Sequence, residues 1–269
     1  MRKIIWGNCI VKNEDKFLWF ALTSVVDYLD KILVWDTGSS DATVEIIKLI
    51  QKQKPNKIEF KQFGIQDVKG ITKLRQKMLD QSECDWVLIL DGDEVWWNDS
   101  IKKVISVINK SSGDLFAIVT PVINLIGDIY HYQEEEAGQY KILGKKGHFN
   151  IRFINRKIPG LHIKNDYPLE AFYDGSNKII QSQEQKLKFE NAPLLHSTHL
   201  LRSTSQENKK LKYELGLPFP KNFKYPEVLF FERPQLVSSP WVGMSAKYKL
   251  RAFIETPLKK IKRHLVKPK

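Results

Sequence analysis

Residues 86–90 read WVLIL, an unbroken apolar run that ends in Asp91-Gly92-Asp93-Glu94. A strand with one wet face alternates in polarity. A short run that does not alternate fits a central parallel strand covered on both faces. Such a strand needs helical layers above and below it, and the neighbouring sequence supplies the parts. Residues 4–11 (IIWGNCIV), 31–35 (KILVW), 57–63 and 115–125 read as further strands. Between them Phe17, Leu18, Ala21, Leu22, Val25, Val26 and Leu29 recur at helical spacing, as do Val44, Ile47 and Ile50, then Ile71, Leu74 and Met78, then Ile101, Val104, Ile105 and Ile108. Asn13 reads as an N-cap with Glu14 and Asp15 in the first turn, and Asp99 or Ser100 as the cap of the fourth helix. Strands alternating with helices at this spacing predict an α/β fold built from right-handed βαβ units, with a mostly parallel central sheet and helices on both faces.

Organisation along the chain follows from where this pattern stops. Residues 1–126 carry it. Residues 127–244 mix short strands, Gly/Pro turns, aromatics and scattered histidines, and read as an irregular second half of the same domain. Residues 245–269 read as a basic amphipathic helix interrupted at Pro257. The chain of 269 residues is long enough for one large domain. Its two cysteines, Cys9 and Cys84, exclude a disulfide framework and point to a reducing compartment or to thiols that merely pack. No apolar run is long enough to span a bilayer. The basic, apolar start runs into Lys12-Asn13-Glu14-Asp15 without a small-residue cleavage site, so an unsecreted, cytoplasmic protein is expected.

The net charge of +12 is unevenly placed: residues 245–269 hold nine Lys/Arg against one Glu. A nearly balanced body argues against a nucleic-acid groove, and 35 lysines against 8 arginines argue against bidentate readout. In the tail Leu250, Phe253, Ile254, Leu258, Ile261 and Leu265 lie among lysines. That pattern suits an anionic membrane surface, which would make the protein peripheral on the inner face of a membrane. A helix packed on the domain with a loose basic end is the competing reading.

Ligands of open parallel sheets bind beyond the carboxyl ends of the strands, where Asp36 and Asp91 both fall. Asp91-Gly92-Asp93 brings two carboxylates into a small volume with a glycine that lets the backbone bend between them. Their repulsion is relieved by a divalent cation, and oxygen ligation favours Mg2+ or Mn2+ over zinc. A solvated turn closing a strand is the alternative. Asp36 can accept from a base N–H or a ribose hydroxyl, or simply cap the βα turn that TGSSDAT opens.

VKNED, LVWDTGSSDAT and DWVLILDGDE, in that order and spacing, resemble the nucleotide-sugar half of family 2 glycosyltransferases of the GT-A fold, over about residues 4–125. The resemblance implies transfer of a sugar from a nucleoside diphosphate sugar to a hydroxyl on a glycan, a lipid-linked saccharide or a protein, inverting the anomeric centre, in a setting such as cell-envelope polysaccharide synthesis. It places Val11, Asn13 and Glu14 beside the nucleoside, although a frequent proline is missing there. Asp36 would meet the base or ribose. Arg75, or failing it Lys73, would lie near the diphosphate. Asp93 would ligate the metal and Asp91 touch the ribose or assist, while Glu94 would point away or hold neighbouring backbone. Arg152-Phe153-Ile154-Asn155-Arg156 resembles a strand that follows in many relatives, and GLHIKNDYPLEAF only partly matches the acidic segment after it. A direct displacement needs a carboxylate to take the acceptor proton; Glu170 is the first candidate and Asp166 the second. His196, ahead of His199 in LLHSTHLLRS, is the late histidine expected to reach the metal or diphosphate, from a helix face or a loop. His131, His148, His162 and His264 are read as packing or surface residues, residues 130–136 as a solvated loop in preference to an aromatic contact to the acceptor, and Trp96 and Trp97 as either pocket wall or core. Two rivals stand: a sugar-phosphate nucleotidyltransferase, which usually opens with a glycine-rich loop not found near residues 4–14, and a non-catalytic nucleotide-sugar-binding scaffold, which the intact DGD opposes.

Overall fold

Alternate residues of the second strand face two different apolar layers: Ile32 and Val34 pack into the larger core, Leu33 and Trp35 into a smaller one with Leu74 and Met78. That two-sided burial organises the molecule. In the computed structural model, which describes residues 1–138, 140–200 and 212–265 (the His264 side chain excepted), the elements run as follows. The N-terminal part is β1 (Ile5–Val11), α1 (Leu18–Val25), β2 (Lys31–Asp36), α2 (Thr43–Gln53), β3 (Ile58–Gln62), α3 (Val68–Gln81), β4 (Trp86–Ile89), β5 (Glu94–Trp96), α4 (Asn98–Lys110) and β6 (Ala117–Ile126). Then come β7 (Asp128–Tyr132), β8 (Tyr140–Ile142), β9 (Lys145–Gly147), β10 (Phe149–Asn155), β11 (His162–Lys164), β12 (Ala171–Tyr173), β13 (Leu187–Phe189), β14 (Leu194–His199), β15 (Leu217–Pro218) and α5 (Ala246–Leu265).

The main sheet has the order β15-β7-β6-β10-β4-β1-β2-β3, with β13 and β14 also on β6 and β5 on β14. β3, β2, β1 and β4 are parallel throughout, as their apolar runs predict. Buried residues of α1, α2 and α4 cover one face, and Leu74 and Met78 of α3 cover the other. The α/β architecture with a mostly parallel centre and helices on both faces is therefore as expected. Antiparallel pairing enters with β10, which lies between β4 and β6. Residues 127–244 thus contribute strands to the central sheet itself.

Several local expectations are corrected. Asn13 does not cap α1: the helix starts at Leu18 after Phe17, without a side-chain cap, and Asn13 sits buried with φ 54°. Its Oδ1 instead accepts from the Ser40 amide at 2.8 Å, which ties the β1 exit to the loop after β2. The fourth helix begins after Trp97, with Asp99 inside its first turn rather than before it. The third spans fourteen residues, not nine, because Asp67 caps it by accepting from the Gly70 amide at 2.6 Å. Residues 130–132 are strand, not loop. Pro257 does not interrupt α5; the helix runs through it. Lys267 and Lys269 of the basic tail, and Leu201, Arg202 and Ser203 of the histidine segment, lie outside the described residues.

Candidate active site

The site is assembled by register at the carboxyl edge of the parallel strands. Val11 is level with Asp36, and Asn8 with Ile89, so β1, β2 and β4 end side by side. The chain leaving β4 must pass close to β1 here. A Cβ on Gly92 would lie 3.0 Å from Val11 Cγ1 and 3.3 Å from Glu14 Cγ, so a side chain at the middle residue of DGD would have to push these neighbours aside by a few tenths of an ångström. After the turn, β5 pairs antiparallel with β14, which sets His196 opposite Glu94. The Ser197 amide and hydroxyl both donate to the Asp93 carbonyl, at 3.0 and 3.1 Å, and lock that pairing. On the other side β10 pairs with β4 with Phe153 opposite Leu88, which delivers Arg152 to the β4 exit.

Four groups then share charge. The Arg152 guanidinium donates to Asp91 Oδ2 at 2.9 Å and to Glu94 Oε1. Burial raises the Glu94 pKa to about 7, against the pull of Arg152. Burial also works to raise Asp91, but Arg152 and then Arg75 outweigh it and hold that carboxyl below its usual range. His196 Nε2 lies 3.4 Å from Asp93 Oδ2. Burial opposes its imidazolium form, yet the carboxylates of Asp93, Glu94 and Asp91 prevail and lift its pKa. The expectation that Glu94 points away is overturned: it is wholly buried among these charges, opposite His196 on β14.

A divalent cation fits these residues. One ligand atom each from Asp91, Glu94 and His196 lies within 4.8 Å of the others. Glu94 Oε2 is buried and accepts no hydrogen bond among the described residues. The carboxylate oxygens are donors for a hard divalent cation and the imidazole is a donor that a divalent transition ion accepts, and Asp93 stands beside His196 as a further oxygen donor.

Two cavities adjoin the cluster. One, of about 440 Å³, is lined by Val11, Glu14, Thr37, Asp91, Asp93 and His196, and Arg75 reaches it from α3. A second, of about 280 Å³, shares Arg75 and Asp91 with the first and includes Arg152 and Glu170. Tyr167 lines both. Arg75 and Glu170, named separately from the sequence, form one ion pair, Nε to Oε1 at 3.0 Å. Asp166 is not with them; it is exposed in a third, open groove with Lys69, Thr72 and Lys73. Asp36 is buried and turned toward its own loop, where its carboxylate accepts from the Gly38 and Ser39 amides. The structure therefore gathers Val11, Glu14, Arg75, Asp91, Asp93, Glu170 and His196 around two cavities that share lining residues. It leaves Asn13 and Asp36 as the frame of the adjacent loop.

His196 stands on a strand, with a register irregularity before His199, so the helix-face alternative fails. Trp96 is core, edge-on to Phe153 at 5.6 Å, and Trp97 donates to the Lys224 carbonyl; neither lines the cavities. Sequence reasoning missed the bridging role of Arg152. Its position in RFINR was visible, but nothing local shows which strand it would stand beside.

The model of glycosyl transferase family 2 matches residues 9–183. The chain belongs to that family. It is 26% identical over 219 residues to the SPbeta prophage-derived glycosyltransferase SunS of Bacillus subtilis (strain 168), a match covering 77% of this chain and 47% of that protein. The chain thus spans about half the length of the curated relatives it matches. Among solved structures, S. aureus TarS 1-349 matches at 13% identity and TM-score 0.48, over 72% of this chain and 60% of that one. Glucosyl-3-phosphoglycerate synthase from Mycobacterium tuberculosis, solved with phosphoglyceric acid, matches at 13% identity and TM-score 0.47, over 77% and 76%. The family match begins at Cys9 in β1 and runs beyond β12, so it takes in the β4 exit, Arg152 and Glu170.

Proposed function

We propose that this family member is a metal-dependent, inverting glycosyltransferase that moves a sugar from a nucleoside diphosphate donor to an acceptor hydroxyl. The observation that carries the reading is that Asp91 and His196, which cluster with the buried Glu94, line the larger cavity together with Asp93. Val11, Glu14 and the loop framed by Asn13 and Asp36 border the nucleoside. Asp91, Asp93 and His196, with Glu94, hold Mn2+ or Mg2+; when bound, the ion supplies positive charge against the leaving diphosphate. Arg75 lies where it can add to that charge.

The acceptor occupies the second cavity. Glu170, which lines it, is preferred over Asp166 as the group that takes the acceptor proton while the acceptor oxygen attacks the anomeric carbon. The acceptor is a glycan, a lipid-linked saccharide or a protein hydroxyl, and a lipid-linked one would bring the enzyme to the cytoplasmic face of a membrane.

The test is donor turnover. Wild-type protein is expected to hydrolyse or transfer from at least one member of a panel of nucleotide sugars in Mn2+, releasing nucleoside diphosphate. Asp93→Ala is expected to lower that rate by about a hundredfold or more. Unchanged turnover in Asp93→Ala would refute the metal assignment. Release of sugar phosphate with nucleoside monophosphate would refute sugar transfer.

A further inference from the structure

The C-terminal helix is anchored by one face only. Tyr248 and Ala252 of α5 are buried with Met244, against Tyr213 and Leu215. On the same side Lys259 donates to the Tyr213 carbonyl, and Arg263 pairs with the buried Glu214. At 100° per residue, Leu250, Phe253, Ile254, Leu258, Ile261 and Leu265 fall within a single arc on the opposite side. All six are between 56% and 78% exposed. Lys249 and Lys262 flank this arc and Lys247 lies at its N-terminal end, all three exposed and with no acidic side chain paired to them among the described residues. Scattered apolar residues on a surface mean little, but a contiguous helical stripe rimmed by cations is a surface that water does not favour.

We infer that this face is a docking surface for an anionic lipid bilayer, with α5 lying in the plane of the interface. The charge selects the occupant. Arg251, Lys259, Lys260 and Arg263 pair with Glu255, Glu134 or Glu214, but Lys247, Lys249 and Lys262 leave the exposed side positive, so two copies meeting through α5 would bring like charges together, whereas acidic headgroups would neutralise them. The apolar arc enters the headgroup boundary and the lysines stay at headgroup level, the division an interfacial helix needs. The helix does not cross: among the described residues no helix is long and apolar enough to do so. Because Tyr248, Ala252 and Arg263 hold α5 on the body, its insertion also fixes which way the body faces the membrane.

The experiment is flotation of the full chain with vesicles of phosphatidylcholine alone or with 30% phosphatidylglycerol. Wild-type protein is expected to float with the anionic vesicles, to be released by high salt, and to stay largely free with neutral ones. The double variant Phe253→Glu/Ile261→Glu is expected to lose at least tenfold in partitioning. Its thermal midpoint and soluble donor turnover should not change, since both side chains already face solvent. Three results would overturn the inference: no flotation of the wild type, equal flotation of the variant, or a wild-type dimer in solution that the variant converts to monomer. None depends on the sugar-transfer reading, which soluble turnover tests separately.

Discussion

At Arg75 one guanidinium serves two neighbours. It holds Glu170 at 3.0 Å and also reaches the cavity that Asp91 and Asp93 border. On the proposed donor site a diphosphate would compete with Glu170 for it, and competition of this kind is reciprocal. Glu170→Gln is expected to tighten pyrophosphate binding in Mn2+ by about fivefold, measured by calorimetry, because Arg75 is released. In an Arg75→Met background the same change should have no effect, which separates competition for Arg75 from a mere loss of negative charge. Equal tightening in both backgrounds would show that Arg75 is not the shared partner. Gly92 and Glu94 are the other decisive residues. DGD was legible as two carboxylates on a bend, and the near-contact of Gly92 with Val11 supplies the physical reason for its glycine. Glu94 was not legible, because the side a residue takes after a turn depends on the strand it enters.

The elements that carry these residues are set by ordinary local chemistry. α3 holds Arg75, and its first turn is fixed by Asp67 accepting from the Gly70 amide at 2.6 Å. Asp67→Ala is expected to cost about 1 kcal/mol of stability, read from the urea midpoint, with weaker nucleotide binding as α3 frays. A stability change without any effect on binding would mean that Arg75 is held by tertiary contacts instead. The five strands expected in the first 126 residues are all present, and the four helices differ only at their ends. Where elements were misjudged, a local competitor decided. Asn13 fits an N-cap by type, yet its side chain is taken by the Ser40 amide across the loop. β14 is a strand because β5 and β6 pair with it, although a three-residue histidine spacing also suits a helix.

Over the whole molecule, α5 is part of the fold and not a loose tail. Arg263 pairs with Glu214, whose carboxylate is almost wholly buried, and also approaches Glu134. Arg263→Ala is expected to destabilise the protein by roughly 2–3 kcal/mol, less than for a fully buried pair because Arg263 keeps some contact with water. A shift in the thermal midpoint measures it. No shift would mean that α5 detaches without cost and that its orientation relative to the body is not fixed.

What the sequence alone determined was local: short apolar runs make strands, period-3.6 runs make helices, and their alternation makes a parallel sheet whose carboxyl edge carries Asp91 and Asp93. It also made the basic, apolar tail helical, though with an interruption at Pro257 that the structure does not show. Only the tertiary structure decided which distant strands complete the edge. β10 inserts beside β4 and β14 lies against β5, so Arg152 bridges Asp91 and Glu94 from 58 residues beyond the latter, and His196 reaches Asp93. Hydrophobic periodicity reports which face of an element is buried, but not its partner. Partner choice is settled by packing the whole chain at once, at a loop-closure cost that grows only slowly with separation.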